Sequence, residues 1–312
     1  MKTKPFHTLI KSTFFSITHT RHYLIDSMPS KTNTAHILNI KQAIDCGSLM
    51  LKDHGIERYR LEAEILLGFV LCQSRVWLHT HFDTPLTSKC QALFFELIEQ
   101  RLSQIPIEYL TKSASFFEYE FFVDFGVLIP RPESEILVKK VIELVQTHHL
   151  TQIAEIGVGS AALSISIAKA CPNLHIIATD ISQEALHIAK HNITNFHFED
   201  QITLKSTSLL DDITQDFELV FSNPPYISLA YPLQPNVLFE PHCALFGGEC
   251  GSEILEDIIA LCARKKIAFL ACEMGYDQKE RLNSVLLDSG YKAEFYRDLA
   301  QNDRGFVARY NL

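Results

Sequence analysis

Through residues 36–110 apolar positions recur every three or four residues, as in Ala35-His-Ile-Leu-Asn-Ile40, Leu61-Glu-Ala-Glu-Ile-Leu-Leu-Gly-Phe-Val-Leu71 and Ala92-Leu-Phe-Phe-Glu-Leu-Ile98. That spacing lines one face of a helix, so the stretch predicts a small helical bundle. Over 116–128 the rhythm changes to alternation around Phe117, Tyr119, Phe121 and Val123, and Pro130 and Pro132 end it. Alternation predicts a β-hairpin, here a link occupying 111–133. From 134 to 312 helix and strand patterns take turns. Helices are predicted over 134–147, 161–170, 183–193, 251–263 and 277–289, and strands over 152–156, 174–179, 202–205, 218–222 and 267–272. Such turn-taking predicts an α/β fold with a doubly wound, mostly parallel sheet covered by helices on both faces. The last apolar stretches, 291–296 and 305–310, are joined by Gln301-Asn-Asp-Arg304 and predict a closing antiparallel hairpin, which brings the sheet to seven strands.

Residues 1–35 stand apart: Lys2, Lys4, Lys11, Arg21 and Lys31 face a single Asp26 among many Ser, Thr and His, without a long apolar core. An organellar targeting segment, a disordered tail and an upstream extension before a start at Met28 are the three readings this composition allows. Apolar residues make up 47% of the 312, which excludes disordered and disulfide-scaffold classes, and no run is long enough to span a membrane. The net charge of −9 argues against a protein that grips long nucleic acid. So does the helical region, where seven Lys and Arg are set against nine Asp and Glu. Eight cysteines, none in a C-x-x-C pair and most within apolar runs, read as packed thiols of a reducing compartment, the cytoplasm unless residues 1–35 direct the chain to an organelle. The pairs His148/His149 and His187/His191 lack a third ligand nearby, and no metal is expected.

The chemistry is carried by two segments. Ala154-Glu-Ile-Gly157-Val-Gly159-Ser-Ala161 is a glycine-rich turn between a strand and a helix, where backbone N–H groups and the positive helix end can receive a nucleotide-like ligand. Asp180 ends the next predicted strand, where a carboxylate can accept from both ribose hydroxyls. A plain tight turn would account for the glycines, and helix capping by Asp180 or Ser182 for the carboxylate. The second segment, Asn223-Pro224-Pro225-Tyr226, follows the fourth strand and faces the same crevice at the carboxyl ends of the strands. Two prolines stiffen the loop, the Asn oxygen and a prolyl carbonyl are acceptors, and the aromatic ring is a platform. Such a loop suits a planar group bearing NH₂, an amide or an exocyclic base amine. A structural Pro-Pro turn would explain the prolines but neither flanking residue.

With these motifs in place, the chain resembles the class I S-adenosylmethionine-dependent amino-methyltransferases. More narrowly it is similar to the HemK-type family, the protein-glutamine N5-methyltransferases of peptide chain release factors. Four more segments carry the narrower likeness: Pro106-Ile-Glu-Tyr-Leu110, Gly126-Val-Leu-Ile-Pro-Arg-Pro-Glu-Ser-Glu135, Glu240-Pro-His-Cys-Ala-Leu-Phe-Gly-Gly248 and Asp298-Leu-Ala-Gln-Asn-Asp-Arg304. The resemblance implies S-adenosylmethionine as methyl donor, held by Glu155, Gly157, Val158, Gly159, Ser160, Ala161, Asp180, Ser208 and Asn223. It implies that Asn223, Pro224, Pro225 and Tyr226 take the acceptor, the glutamine of the Gly-Gly-Gln motif in class 1 release factors. As a separate helical unit, residues 36–110 are expected to dock that protein, and the acidic balance predicts no stable nucleic acid on an enzyme expected to be a monomer. Ala161 stands where the family usually has a third glycine, a small and sterically mild replacement at a helix start. Thr207 and Ser208 replace the acidic and aromatic or apolar residues usual near adenine. Rival readings are methylation of a base amine in DNA or RNA, a dinucleotide-binding dehydrogenase, which would leave 223–226 without work, and a non-catalytic adaptor.

Overall fold

The computed structural model describes residues 37–311; the segment 1–35 lies outside them. Two compact units divide the chain, one ending at Ser103 and the other beginning at Gln104. The first holds four helices, α1 (Ile40–Asp53), α2 (Tyr59–Leu71), α3 (Arg75–Thr80) and α4 (Ser88–Leu102). Asn39, Ser74 and Thr87 cap α1, α3 and α4 through their side-chain oxygens, each accepting an N–H that the first turn leaves unpaired. Ile44, Leu66, Leu67, Phe94 and Ile98 fill the interior of the unit. A buried ion pair, Arg101 to Glu62 at 2.6 Å, lies among them.

The second unit begins with α5 (Ile107–Thr111), although the helical pattern in the sequence runs unbroken to 110. Tyr109 is the reason: its ring is buried with Ala114, Val123, Val127 and Ile129, and its hydroxyl donates to the Val127 carbonyl at 2.6 Å. A hairpin follows, β1 (Ser113–Phe116) and β2 (Tyr119–Phe122), turned at Phe117 with φ 54°. It sits earlier than the 116–128 alternation suggests, because Val123, Val127 and Ile129 are buried from irregular chain.

Next come α6 (Ser134–His148), β3 (Gln152–Ile156), α7 (Ala162–Ala170), β4 (His175–Asp180), α8 (Gln183–Phe196), β5 (Ile202–Ser206) and β6 (Leu219–Ser222). Two very short strands, β7 (Ile227–Ser228) and β8 (Phe246–Gly248), pair in parallel around a loop containing α9 (His242–Leu245). Strands of two and three residues are too short to leave an alternation in the sequence. The chain ends with α10 (Glu253–Lys265), β9 (Phe269–Glu273), α11 (Lys279–Asp288), β10 (Tyr291–Arg297) and β11 (Asp303–Tyr310).

Seven strands form one sheet in the order β10-β11-β9-β6-β3-β4-β5, parallel from β9 to β5 with an antiparallel pair at the far edge. The predicted doubly wound sheet and closing hairpin are both present. One apolar layer packs α6, α7 and α8 against the sheet, and a second packs α10 and α11 against its other face. From β3 the winding runs outward through β4 to β5, and from β6 it runs the other way to β9. The crevice between β3 and β6 is therefore the switch point where open α/β sheets bind ligands.

Candidate active site

Both sequence motifs lie at that switch point. Ile156 ends β3 and Ser222 ends β6; the two are register partners, and the fully buried Ser222 hydroxyl donates to the Ile156 carbonyl at 2.7 Å. Gly157 follows one and Asn223 the other. The glycine turn and the Asn-Pro-Pro-Tyr loop thus start side by side.

In the turn, Gly157 and Val158 both donate to the Thr179 carbonyl at 2.9 Å. Gly157 and Gly159 have φ of 77° and 51°, and a Cβ built on either would meet nothing within 4 Å. The backbone is bare on that side, with room for a ligand to lie against it. Ala161, at φ 64°, also takes the left-handed conformation and is fully buried. A Cβ there costs about 1–2 kcal/mol, so the departure at 161 is a backbone strain and is not the mild exchange that its size suggested.

Asp180 accepts from the Gly159 N–H at 3.0 Å through one oxygen and from the Ser182 N–H at 2.9 Å through the other. A carboxylate offers about four acceptor directions, so each oxygen keeps one for a ligand. Ser182, not Asp180, caps α8, accepting from Ala185. Glu155 lies beneath the turn, 1% exposed, with its carboxylate bonded to the Ser164 hydroxyl of α7. Burial, with the Asp180 charge adding, pushes its pKa up to about 8 against the pull of Ser164. Ser160 is buried, and its carbonyl accepts from Asn192 at 2.8 Å. Ser208 is exposed in a loop tied to the site by Thr179, whose hydroxyl donates to the neighbouring Leu209 carbonyl at 2.8 Å.

In the second motif, Asn223 donates through Nδ2 to the Ser134 hydroxyl oxygen at 3.0 Å, which leaves Oδ1 as its acceptor. Asn223, Pro224 and Tyr226 line a cavity of about 390 Å³ together with Arg131, Tyr231 and Val237. Behind it the loop is held rigidly. The Tyr226 carbonyl accepts from Gln278 at 2.9 Å, and Gly247 packs so closely that a Cβ would lie 2.5 Å from the Pro225 carbonyl. Pro224 and Tyr226 both line the cavity, and of their two carbonyls that of Pro224 is not engaged by these braces. Burial raises the pKa of the Tyr226 hydroxyl, the Glu273 charge adding to the rise and Arg304 opposing it. Arg131 pairs with Glu240, which is 3% exposed and also accepts the Ile129 N–H at 3.0 Å.

Residues 42–111 match the PrmC N-terminal domain, and residues 132–231 the methyltransferase small domain. A release factor glutamine methyltransferase of Clostridium acetobutylicum is 30% identical over 280 residues, covering 87% of this chain and 98% of that protein. The chain belongs to the release factor glutamine methyltransferase family. Another member, from Clostridium botulinum, is 33% identical over 86% of this chain and 99% of its own length. A bifunctional methyltransferase of Rickettsia typhi is 34% identical over 85% of this chain and 56% of its own length. Among solved structures, the catalytic domain of human Mettl16, in complex with an RNA hairpin, superposes with TM-score 0.51 over 61% of this chain and 74% of its own, at 18% identity. That is likeness of fold, and the fold is the class I methyltransferase one.

Four segments marked the family in the sequence without having a stated role, and three of them converge on the Asn-Pro-Pro-Tyr loop. Gly126 to Glu135 supplies Arg131 and Ser134; Glu240 to Gly248 supplies the partner of Arg131 and the glycine under Pro225; Asp298 to Arg304 supplies an ion pair at 2.9 Å, with Arg304 facing Tyr226. Glu273, Gln278 and Asn192 carried no sequence signal: Glu273 closes an apolar strand, while Gln278 and Asn192 sit among other polar residues with nothing to set them apart. Asn192, fully buried on α8, accepts from the Phe122 N–H at 2.9 Å and donates to the Phe122 and Ser160 carbonyls.

Proposed function

We propose that this chain transfers the methyl group of S-adenosylmethionine to the side-chain amide nitrogen of the glutamine in the Gly-Gly-Gln motif of class 1 peptide chain release factors. The observation that carries the reading is Asn223, whose amide nitrogen is committed to Ser134 so that its oxygen serves a cavity beside Pro224. A primary amide has two N–H donors and a delocalised lone pair. Asn223 Oδ1 accepts from one N–H and the Pro224 carbonyl from the other, which holds the nitrogen face toward the donor, while Tyr226 packs against the amide plane.

The bare glycine turn and the spare lone pairs of Asp180 fit S-adenosylmethionine: Asp180 takes the ribose hydroxyls, and Gly157, Val158, Gly159, Ser160 and Ala161 form the cradle. Glu155 acts from beneath that cradle, and Ser208 flanks the adenine. The donor supplies an electrophilic methyl on a sulfonium. As the N–C bond forms, the C–S bond breaks, its electron pair stays on sulfur, and the nitrogen then releases one proton to water. Positive charge grows on the nitrogen during the step, so the acceptors at Asn223 and Pro224 bind the transition state more strongly than the ground state.

The helical residues 36–110 dock the release factor, the enzyme works as a monomer, and its setting is the cytoplasm. Incubation with labelled S-adenosylmethionine and purified release factors, followed by peptide mapping, tests the reading. Label on the motif glutamine is the expected result. Label confined to added DNA or RNA would overturn it in favour of a base amine.

A further inference from the structure

Glu273 ends β9 beside the start of the Asn-Pro-Pro-Tyr loop and is 1% exposed, yet its Oε1 is buried with no hydrogen-bond partner among the described residues. A buried carboxylate oxygen left unpaired costs stability, and methyl transfer as described above does not use this residue. Its surroundings give it a connection to the chemistry. Ser134, fully buried at the first turn of α6, receives the Asn223 Nδ2–H on its oxygen at 3.0 Å, and Glu273 lies one residue past Cys272, the register partner of the Ser222 that precedes Asn223, so the buried hydroxyl, the buried carboxylate and the amide share one corner of the fold. A hydroxyl has one proton to give. With that proton on the carboxylate side, its oxygen can only accept from Asn223, and the Asn223 amide cannot turn over without placing two acceptors face to face.

We propose that Glu273 is a positioning residue for methyl transfer: through the Ser134 hydroxyl it locks Asn223 with Oδ1 toward the acceptor amide and polarises that oxygen as charge grows on the attacking nitrogen. The chain runs from the Glu273 carboxylate to Ser134 O–H, to Asn223 N–H, to Asn223 C=O, to the substrate N–H. Each link strengthens the next in a low-dielectric site. The use of the lock rests on the methyl-transfer reading, but the lock itself belongs to the protein alone.

The groups facing Glu273 set when it is charged. Arg304 from β11 and the Ser134 hydroxyl favour the carboxylate, Glu133 before α6 opposes it, and the uncharged Tyr226, Tyr296 and Cys272 lie around it. Burial outweighs the favourable contacts and pushes the Glu273 pKa up to about 7. The lock is therefore fully charged only above neutrality, and activity rises with pH through about 7.

The test has two readouts. In the free protein, the Asn223 side-chain amide signal, assigned by its loss in Asn223→Ala, is followed by NMR from about pH 5.5 to about 8.5, a range that brackets the carboxyl's titration. It should titrate near pH 7, and the titration should vanish in Glu273→Gln and in Ser134→Ala. In parallel, kcat on a release factor at saturating cofactor should fall roughly 10- to 100-fold in both variants at about pH 8, with the acid limb lost and the S-adenosylmethionine Kd unchanged. The double variant should be no worse than either single one, since both cut the same chain. An Asn223 amide indifferent to Glu273, or an acid limb near pH 7 that survives Glu273→Gln, would overturn the proposal. If wild type labels no release factor while the amide still titrates through Ser134, the lock stands and only the substrate reading fails. Should Glu273→Gln not fold, Ser134→Ala alone decides the matter through the same NMR and kinetic measurements, because it leaves the buried carboxylate in place.

Discussion

The glycine turn and the Asn-Pro-Pro-Tyr loop follow neighbouring strands and begin at register partners, but they are built on different principles. The turn presents backbone: two glycines open on one side, and a carboxylate whose own bonds go to N–H groups of the turn and of the next helix. The loop presents side chains braced from behind, by Ser134 on Asn223, Gln278 on the Tyr226 carbonyl and Gly247 under Pro225. A backbone cradle tolerates change in what surrounds it, because its N–H groups persist whatever the side chains are. A side-chain clamp does not, because each brace is one atom on one residue. Holding a cofactor common to many reactions needs only the first; choosing and aligning one amide nitrogen needs the second.

The sharpest way to break this contrast is Asn223→Ala. If the loop is the clamp, kcat on a release factor should drop by about 2.7–4 kcal/mol of transition-state stabilisation, the scale of deleting one preorganised hydrogen-bonding group, with little change in cofactor affinity. Near-normal turnover would reduce the loop to a rigid corner.

The matching substitution at the cradle is Asp180→Ala. Calorimetric titration should show S-adenosylmethionine binding weaker by about 1.5–3 kcal/mol, the range for hydrogen bonds to a charged group, since the ribose contact goes while the turn keeps its glycines. An unchanged Kd would remove Asp180 from the site.

Glu155 sharpens the contrast by its effect on stability. Its pKa rises from 4.5 in the unfolded chain to about 8 in the fold, so between those values the native state holds a proton that the unfolded chain has released. Stability contributed by this group is complete below about 4.5 and is lost as pH rises toward 8, by at most about 1.4 kcal/mol per pH unit. Glu273 adds the same trend up to about pH 7. Urea unfolding across roughly pH 5–8 should therefore show a decline that flattens in Glu155→Gln. An equal slope in the variant would mean the carboxyl titrates alike in both states.

The smallest effect is expected at Ala161→Gly. Glycine relieves the left-handed strain but enlarges the freedom of the unfolded chain, so the net gain should be at most about 1 kcal/mol, read as a higher urea midpoint, with cofactor binding no weaker. A loss of stability would show that the Ala161 methyl packs more usefully than its conformation costs.

Most of the sheet could be read from the sequence because each buried strand and each helix face repeats with its own period over several turns. The exceptions have local causes. α5 continues a helical pattern but is claimed by the second unit through Tyr109, and β7 and β8 are too short to repeat anything. At the site, the contiguous motifs were legible because a turn and a loop carry their chemistry within a few residues. Their braces were not: Ser134 lies 89 residues before Asn223, and Glu240 lies 111 after Ile129. No local pattern announces such pairings, even where a family likeness flagged the segments that hold them.

Asn192 is 70 residues downstream of Phe122, whose N–H and C=O it holds. During synthesis at roughly 5–20 residues per second, the hairpin of β1 and β2 waits on the order of ten seconds before its clasp exists. Through that interval a short ribbon carrying Phe116, Tyr119, Phe121 and Phe122 has no sheet to cover it, and a two-stranded hairpin is marginal on its own. This aromatic stretch of the nascent chain thus stays exposed longest, and it joins the folded unit only when α8 has emerged to fasten it to the glycine turn.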